Sequence, residues 1–271
     1  MKLTDPALLR ELNRILRSGG IEDAELEAKW IYDDAASAEE ATALAERRAK
    51  HEPLQYLLGT WEFYGLPMRV GKGVLIPRPD TETLVDAVRA RLKDAPSQRV
   101  ADLCTGSGCI ALALALHMEK TVFLGLDSSA AALSYARQNL RLNESGNVRF
   151  YCANVLDTET PAQFSGLTAI VCNPPYLTAK DMASLQTEVT YEPAEALAGG
   201  EDGLDYYRAI TRLWKPSLLP GGLLAYEVGI YQAKAVAAIL AENGFERIET
   251  VPDLNEVPRV VLGYRSLSYS E

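Results

Sequence analysis

Residues 100–108, with the sequence VADLCTGSG, decide the fold of this chain. An apolar strand runs directly into a turn with two glycines, and the apolar residues 110–116 that follow are typical of a helix. Glycines let a ligand approach the backbone closely, so the turn predicts a ligand site at the carboxyl end of this strand. Asp127, which ends the apolar run 122–126, stands 19 residues after Gly108, where a carboxylate commonly binds a ribose diol. Together these features predict a pocket for a nucleoside-containing cofactor.

A second motif, Asn173-Pro174-Pro175-Tyr176, follows the apolar run Leu167–Cys172, which is typical of a strand buried on both faces. The Asn173 side-chain oxygen can accept one N–H of a planar amino group, and the Pro174 carbonyl can accept the other. Proline adds no N–H, so the turn exposes acceptors, and Tyr176 offers a flat face for stacking. The same residue types also end strands as plain turns. Beside the glycine turn, however, the motif predicts a site that holds an NH2 group for attack on an electrophile.

The type of cofactor follows from the two motifs together. Residues 106–111 formally match the G-x-G-x-x-G/A fingerprint of dinucleotide sites. An NAD enzyme places a pyrophosphate at the helix N-terminus, whereas S-adenosylmethionine has no phosphate and carries an ammonium, a carboxylate and a sulfonium. Asp102, just before the turn, suits a cationic ligand, and a clamp for an amino group has no use in hydride transfer. The pair therefore favours methyl transfer over redox chemistry.

With these motifs in place, the chain resembles the release-factor glutamine N5-methyltransferases, the PrmC/HemK family, over nearly its whole length. The similar segments are residues 52–56 (EPLQY), 62–65 (EFYG), 76–82 (IPRPDTE), 100–108, 173–176 and 191–204. The amino-group clamp alone is shared with many methyltransferases of nucleic acids, but segments 76–82 and 191–204 are much more specific. The resemblance implies transfer of a methyl group from S-adenosylmethionine to the amide nitrogen of the glutamine in the Gly-Gly-Gln tripeptide of peptide chain release factors.

The resemblance also implies roles for individual residues. The catalytic residues that would hold the glutamine are Asn173, Pro174, Pro175 and Tyr176. The cofactor-binding residues would be Asp102, Cys104, Thr105, Gly106, Ser107, Gly108, Asp127, Asn154, Val155 and Asn173. Two other classes of function remain open: methylation of an exocyclic amine in DNA or RNA by the same clamp, and a non-catalytic scaffold that binds the cofactor.

Four departures from the family pattern bear on these roles. Cys104 stands where the family usually has the first glycine of its loop, and Asn154 stands where an acidic residue commonly accepts the adenine amino hydrogens. Val155 replaces an aromatic residue of some members, and residues 253–259 lack the usual glycine-containing loop. Asparagine keeps a carbonyl acceptor but loses the charge. We therefore expect weaker cofactor affinity rather than lost activity, and we carry no role onto residues 253–259.

The expected reaction needs no general base before methyl transfer, because the clamp positions the amide nitrogen for in-line attack. The methylated nitrogen must then lose a proton. Glu227, which ends its predicted strand, is a candidate acceptor by position alone, and a purely structural role explains that position equally well.

Hydrophobic patterns predict a chain divided near residue 75. Residues 1–75 would form a helical bundle for substrate recognition, with helices from Pro6 to Ser18, from about residue 23 to 36, and from Ser37 with Glu40 in a capping box. A hairpin of residues 61–64 and 68–70 would join the two parts. Residues 76–271 would form a seven-stranded, Rossmann-like class I methyltransferase sheet of the α/β class. Its predicted strands are residues 99–104, 122–127, 148–152, 167–172, 223–228, 245–251 and 259–264.

Composition narrows the possible partners and compartment. The 271 residues carry a net charge of −10, which opposes binding to a phosphate backbone and suits a basic protein partner. No apolar run approaches the roughly 20 residues needed to span a bilayer, and residues 1–5 lack a signal-peptide core, so we expect a cytoplasmic monomer without membrane contact. The four cysteines show no C-x-x-C pairing and are predicted to be free core thiols without a metal. His51 and His117 have no evident catalytic partner in the sequence.

Overall fold

The N-terminal part of the molecule is helical. The computed structural model describes residues 4–92 and 98–267. Two segments of the sequence predictions lie outside the described residues. They are residues 1–3, in the N-terminal segment that was expected to lack a signal-peptide core, and residues 268–271 of the second predicted domain. The first four helices are α1 (Pro6–Ser18), α2 (Ala24–Asp34), α3 (Ala38–Arg48) and α4 (Leu54–Leu58).

Local capping explains where two of these helices begin. The Asp5 carboxylate accepts the Ala7 N–H at 2.8 Å at the start of α1, with Pro6 in the first turn as predicted. At α3 the Ser37 hydroxyl accepts the Glu40 N–H at 3.2 Å. The Glu40 carboxylate bonds the N–H of Ala36 at 2.7 Å, one residue earlier than a standard capping box requires. The predicted helix starts are therefore correct, and the second half of the capping box is displaced by one residue.

A short antiparallel hairpin follows, formed by β1 (Thr60–Phe63) and β2 (Leu66–Arg69), close to its predicted position. Its side chains Phe63 and Met68 are buried in the core that also underlies the sheet. The backbone N–H of Arg69 donates to the Asn139 side chain, which ties the hairpin to a helix of the second part. The hairpin thus lies before residue 75 in sequence but packs with the residues after it.

The second part is a mixed sheet, and the strand pattern predicted from the sequence is confirmed. Within the described residues its seven strands are β3 (Arg99–Leu103), β4 (Val122–Asp127), β5 (Val148–Cys152), β6 (Leu167–Cys172), β7 (Leu218–Glu227), β8 (Phe245–Pro252) and β9 (Pro258–Arg265). They lie in the order β5-β4-β3-β6-β7-β9-β8. Among these described strands β9 alone runs in the opposite direction to the other six. The carboxyl ends of β3, β4, β6 and β7 therefore meet at one edge.

Helices cover both faces of the sheet. They are α5 (Glu82–Leu92), α6 (Cys109–Ala115), α7 (Ala130–Leu142), α9 (Asp205–Trp214) and α10 (Ala233–Glu242), while the one-turn helix α8 (Ala179–Met182) buries no residue. Alternate residues of β3 enter different cores: Val100 packs on one face, while Ala101 and Leu103 pack on the other. This two-sided burial is why the strands of the sequence are continuous apolar runs.

The cysteine prediction is correct for two thiols and wrong for Cys152. Cys109 and Cys172 are buried and Cys104 is half-buried, but Cys152 is exposed because it ends β5 at the edge of the sheet. Across residues 4–92 and 98–267, no group of three or more His, Cys, Asp or Glu side chains is placed to hold a metal ion. In the same residues, no helix combines the length and apolar character needed to cross a membrane.

Candidate active site

The glycine-rich turn after β3 is anchored from below by Asp102. This carboxylate is fully buried, and its Oδ2 accepts the Thr105 hydroxyl at 2.5 Å and the Ala111 N–H at 3.3 Å. Its Oδ1 has no hydrogen-bond partner in the described part of the chain. Burial raises the Asp102 pKa to about 7, against the hydrogen bonds from Thr105 and Ala111, which lower it. Asp102 lies beneath the turn rather than in the wall of the cavity above it.

Asp127, at the end of β4, holds the same turn from the side. Its Oδ2 accepts the Gly106 N–H and its Oδ1 accepts the Ser129 N–H, both at 2.8 Å. Burial raises the pKa of Asp127, while these backbone donors lower it. Each oxygen keeps a second lone pair, so a carboxylate in this position can still accept two further hydrogen bonds from the cavity.

The backbone of the turn is left-handed at three positions: Cys104, Gly106 and Gly108 have φ values of 58°, 55° and 80°. A non-glycine residue in this region is strained, so Cys104 adopts the conformation that glycine adopts most easily. A Cβ built on Gly108 would lie 2.6 Å from Cζ of Phe150. Gly108 therefore satisfies both a conformational and a space requirement.

A deep cavity opens above the turn, between the ends of β3, β4 and β6. It is lined by eight of the residues that the sequence assigned to the cofactor: Cys104, Thr105, Gly106, Ser107, Asp127, Asn154, Val155 and Asn173. The other two assigned residues, Asp102 and Gly108, do not line it. Arg78, Thr81, Glu195 and Tyr206 also line it, and sequence reasoning gave them no role.

The wall after β5 is fixed by local bonds. Asn154 Oδ1 accepts the Leu156 N–H at 3.0 Å, so part of the carbonyl that was expected to face adenine is used within its own turn. The Val155 side chain is buried, and its carbonyl accepts the Trp214 indole N–H at 2.8 Å. The contacts of these two residues with a nucleoside remain predictions.

The amino-group clamp lies at the end of β6, where it was predicted from the sequence. Asn173 Nδ2 donates to the Thr81 hydroxyl at 3.3 Å, which turns the donor end of the amide toward Thr81 and leaves Oδ1 free to accept. Pro174 and Pro175 are buried, and Tyr176 is half-buried. Burial also raises the pKa of Tyr176, which keeps its hydroxyl neutral.

Asn173 lies where two cavities meet. The second cavity is lined by Leu75, Arg78, Asn173, Pro174, Tyr176, Leu177, Val189, Ala196 and Leu197. Besides Asn173, the two cavities share Leu75, Arg78 and Ala196. A group bound in one cavity is therefore separated from a group in the other by the clamp side chain.

Two further contacts hold the clamp backbone. Gln232 Nε2 donates to the Tyr176 carbonyl at 2.9 Å and to the Gly203 carbonyl at 3.3 Å. A Cβ on Gly199 would lie 2.6 Å from the Tyr176 Cα, so the glycine segment of residues 199–204 packs directly on the clamp. The sequence singled out that segment by resemblance, but it offered no signal for Gln232.

Glu192 joins two of the family-like segments. Its buried carboxylate accepts the Ile76 N–H at 2.9 Å and pairs with the Arg78 guanidinium. This pair fixes Arg78 at the mouth of both cavities, which explains why segments 76–82 and 191–193 occur together.

The N-terminal helices contact this region through Glu188. Glu188 Oε1 lies 3.2 Å from Arg48 Nη1 and 2.7 Å from His51 Nδ1, and Arg48 also pairs with Glu27 at 2.6 Å. His51, which had no partner in sequence, is thus part of a charged contact between the bundle and the segment before Glu192.

Comparisons with known proteins identify the family of this chain. The family model described as Methyltransferase small domain matches residues 79–201. The chain is 44% identical to the release factor glutamine methyltransferase of Thermodesulfovibrio yellowstonii, over 83% of this chain and 81% of that protein. It is 39% identical to the release factor glutamine methyltransferase of Geobacter sulfurreducens, over 92% of each chain.

A solved structure supports the fold alone. The ribosomal protein L11 methylase of Lactobacillus delbrueckii subsp. bulgaricus matches with a TM-score of 0.51 and 18% identity, covering 73% of this chain and 85% of that one. The two relatives above, by contrast, are similar along most of their length in sequence as well. The chain therefore belongs to the release factor glutamine methyltransferase family.

Proposed function

We propose that this chain transfers a methyl group from S-adenosylmethionine to the side-chain amide nitrogen of the glutamine in the Gly-Gly-Gln tripeptide of peptide chain release factors. The observation that carries the proposal is the position of Asn173 in the wall of both cavities. One cavity would take the methyl donor and the other the glutamine side chain. The names of the relatives point to the same substrate.

The residues of the first cavity fit S-adenosylmethionine better than a dinucleotide. The Gly106 N–H, which a pyrophosphate would need, already donates to Asp127, and Glu195 adds a second carboxylate to the wall. Two carboxylates repel phosphate and suit a ribose diol and an ammonium group. When bound, the cofactor supplies an electrophilic methyl group on its sulfonium. Residues 104–108, Asp127, Asn154 and Val155 would hold it.

The clamp residues would orient the acceptor amide. Asn173 Oδ1 and the Pro174 carbonyl accept its two N–H groups, which directs the nitrogen lone pair toward the first cavity. Tyr176 forms a wall of the second cavity and packs beside the amide plane. Thr81 keeps the Asn173 amide in the required orientation by accepting its Nδ2.

The two parts of the chain would divide the work. Residues 76–271 supply most of the lining of both cavities, with Leu75 in both and Gly73 and Val74 in the first. The helices before them would contact the substrate protein beside the cavities, where Arg48 and His51 meet Glu188. The net charge of −10 favours a basic protein surface as partner, and release factors act in the cytoplasm, so we place the enzyme there.

A methyl-acceptance experiment tests the proposal. The purified chain is incubated with methyl-labelled S-adenosylmethionine and one of three acceptors: a release factor, the same factor with the tripeptide glutamine replaced by alanine, or mixed nucleic acid. We expect label on the intact factor alone. Label on nucleic acid would assign the enzyme to exocyclic amines instead, and no label on any acceptor would leave only the scaffold class.

A further inference from the structure

Glu227 is a buried carboxylate beside the clamp. It ends β7, and β6 pairs with β7 in parallel up to Cys172 opposite Tyr226. Asn173 and Glu227 are therefore the next residues on two adjacent strands and leave the sheet side by side. Glu227 is only 1% exposed, and its Oε2 has no hydrogen-bond partner among the described residues.

Thr81 links this carboxylate to the cavity. Its side chain lines the first cavity although the residue is only 2% exposed. Its oxygen accepts Asn173 Nδ2 at 3.3 Å. Hydrogen bonding from the Thr81 side chain also lowers the pKa of the neighbouring Glu227. An ionised carboxylate only accepts, so the Thr81 O–H points to Glu227 and its second lone pair is free toward the cavity.

The charges around Glu227 leave it incompletely compensated. The ionisable groups that face it are Arg259, Asp80, Tyr176, Tyr207 and Cys109. The cation among them, Arg259, already pairs with Asp80 at 3.0 Å and with Asp253 at 3.3 Å. Burial raises the pKa of Glu227 to about 7, while the Thr81 and Asn173 hydrogen bonds and Arg259 lower it. The group can thus both lose and gain a proton near neutral pH.

We propose that Thr81 and Glu227 form the route by which the proton leaves the methylated amide nitrogen. The proposal rests on the function proposed above. Methyl transfer forms the N–CH3 bond and breaks the S–CH3 bond, and the nitrogen then carries one proton more than the neutral product. That proton passes to Thr81 Oγ as the Thr81 hydroxyl proton passes to the Glu227 carboxylate, which ends as a carboxylic acid. No oxidant or further reactant is needed.

The competing acceptors are less suitable. Asp127 belongs to the glycine turn, where each of its oxygens accepts a backbone N–H, and no hydrogen bond joins it to a clamp residue among the described residues. Glu195 lines the first cavity but is exposed to solvent, and no hydrogen bond joins it to a clamp residue in the described part of the chain. Asp102 shares the burial, the threonine partner and the unpartnered oxygen, but its threonine, Thr105, belongs to the cofactor turn. Thr81, by contrast, is hydrogen-bonded to the clamp residue Asn173, which places Glu227 on the acceptor side.

The pH dependence of kcat on a release factor tests the route. Glu227 must be ionised to accept a proton, so wild-type kcat should rise with pH through about 7. Glu227→Gln should lower kcat by about 10²-fold and remove this rise, with KM for both substrates nearly unchanged. Thr81→Val should behave similarly, whereas Thr81→Ser, which keeps the hydroxyl, should retain the rise. Thr121→Val changes a buried threonine outside both cavities and should match the wild type.

A second measurement does not depend on turnover. Infrared titration of the cofactor-free enzyme should show two carboxyl groups that titrate near pH 7, Asp102 and Glu227, and the one missing from Glu227→Gln identifies the Glu227 signal. Its midpoint should move upward in Thr81→Val, because the lost hydrogen bond favoured the ionised form. Far-ultraviolet circular dichroism confirms that each variant is folded.

The outcomes separate this route from the proposed function. Wild-type enzyme that labels no release factor would refute the function itself. Wild-type labelling with an unchanged pH rise in Glu227→Gln, or a rise that disappears in Glu195→Gln instead, would overturn the route alone. If Glu227→Gln is unfolded, the Thr81→Ser and Thr81→Val pair decides: equal pH profiles in the two would overturn the route.

Discussion

The site has a cofactor half, at the glycine turn after β3, and an acceptor half, at the Asn173 clamp. Both halves contain a buried carboxylate, but the two carboxylates have different partners. Each half has a buried carboxylate near the end of a parallel strand, beside a threonine that lines the first cavity: Asp102 with Thr105, whose hydroxyl it accepts, and Glu227 with Thr81, whose hydrogen bonding lowers its pKa. Burial raises both pKa values to about 7. Asp102, however, also accepts a backbone N–H at the start of α6, whereas no backbone N–H bonds the Glu227 side chain in the described residues.

This difference distinguishes a carboxylate that holds the backbone in place from one that is available to accept a proton. A backbone donor fixes Asp102 in place and favours its ionised form, so the carboxylate mainly shapes the turn. The hydrogen bonds that lower the Glu227 pKa come from Thr81 and Asn173, which both line the first cavity. The same burial therefore stabilises a loop in one half and provides a proton acceptor in the other.

The largest expected effect comes from breaking the acceptor half at Asn173. We expect Asn173→Ala to lower kcat by well over tenfold, because a positioning group of this kind acts mainly in the transition state. Cofactor affinity should stay nearly intact, since the glycine turn is held by Asp102 and Asp127 without Asn173. Steady-state kinetics and calorimetric titration with the cofactor measure the two quantities. An equal loss of cofactor affinity would contradict the division into halves.

The converse change breaks the cofactor half. Gly108→Ala places a Cβ 2.6 Å from Phe150 Cζ at a residue with φ 80°. We expect a loss of about 1–3 kcal/mol in the free energy of unfolding and a marked fall in cofactor affinity. Urea denaturation and cofactor titration measure both. Gly146→Ala is the matched control, because a Cβ there meets nothing within 4 Å; if the two variants lose equal stability, the space argument fails.

A third prediction compares the two buried acids by pH. Their folded-state pKa values lie above the ordinary ones, so each acid adds stability that is complete below about pH 4 and is lost as pH rises through about 7. For Asp102→Asn and Glu227→Gln, the free energy of unfolding minus that of the wild type should be larger at pH 8 than at pH 5. The increase should be on the order of 2–4 kcal/mol for each variant. Urea denaturation at both pH values measures this. A pH-independent difference would show that the acid concerned is ionised throughout.

The sequence was sufficient for the fold because each strand is a bounded apolar run. β4, β5 and β6 have the predicted limits, whereas β7 begins at Leu218, five residues before its predicted start, since residues 220–222 (PGG) look like a break. Glycines and prolines carry their conformational requirements in the sequence itself. For this reason the two main motifs of the site could be found without a structure.

The supporting contacts of the site could not be found in this way. Thr81 is 92 residues from Asn173, and Gln232 is 56 residues from Tyr176. No local pattern marks such a pair, because a threonine or glutamine at a loop is ordinary until the fold brings its partner near. The division of the chain near residue 75 also stays a prediction. The hairpin precedes residue 75 in the sequence, but its side chains pack in the core of the sheet that follows.

The smallest expected effect is at Cys104, where the cofactor half departs from its family. With φ at 58°, Cys104→Gly relieves a strained backbone but adds conformational freedom to the unfolded chain, so the free energy of unfolding should change by less than about 1 kcal/mol. The cofactor should bind a few-fold more tightly, because the turn loses a side chain that lines its cavity. Calorimetric titration with S-adenosylmethionine measures this, and Cys152→Ser, at an exposed thiol outside the cavity, is the control. Unchanged or weaker binding in Cys104→Gly would mean that the thiol itself contributes to cofactor affinity. The cysteine would then compensate for the backbone strain at this position.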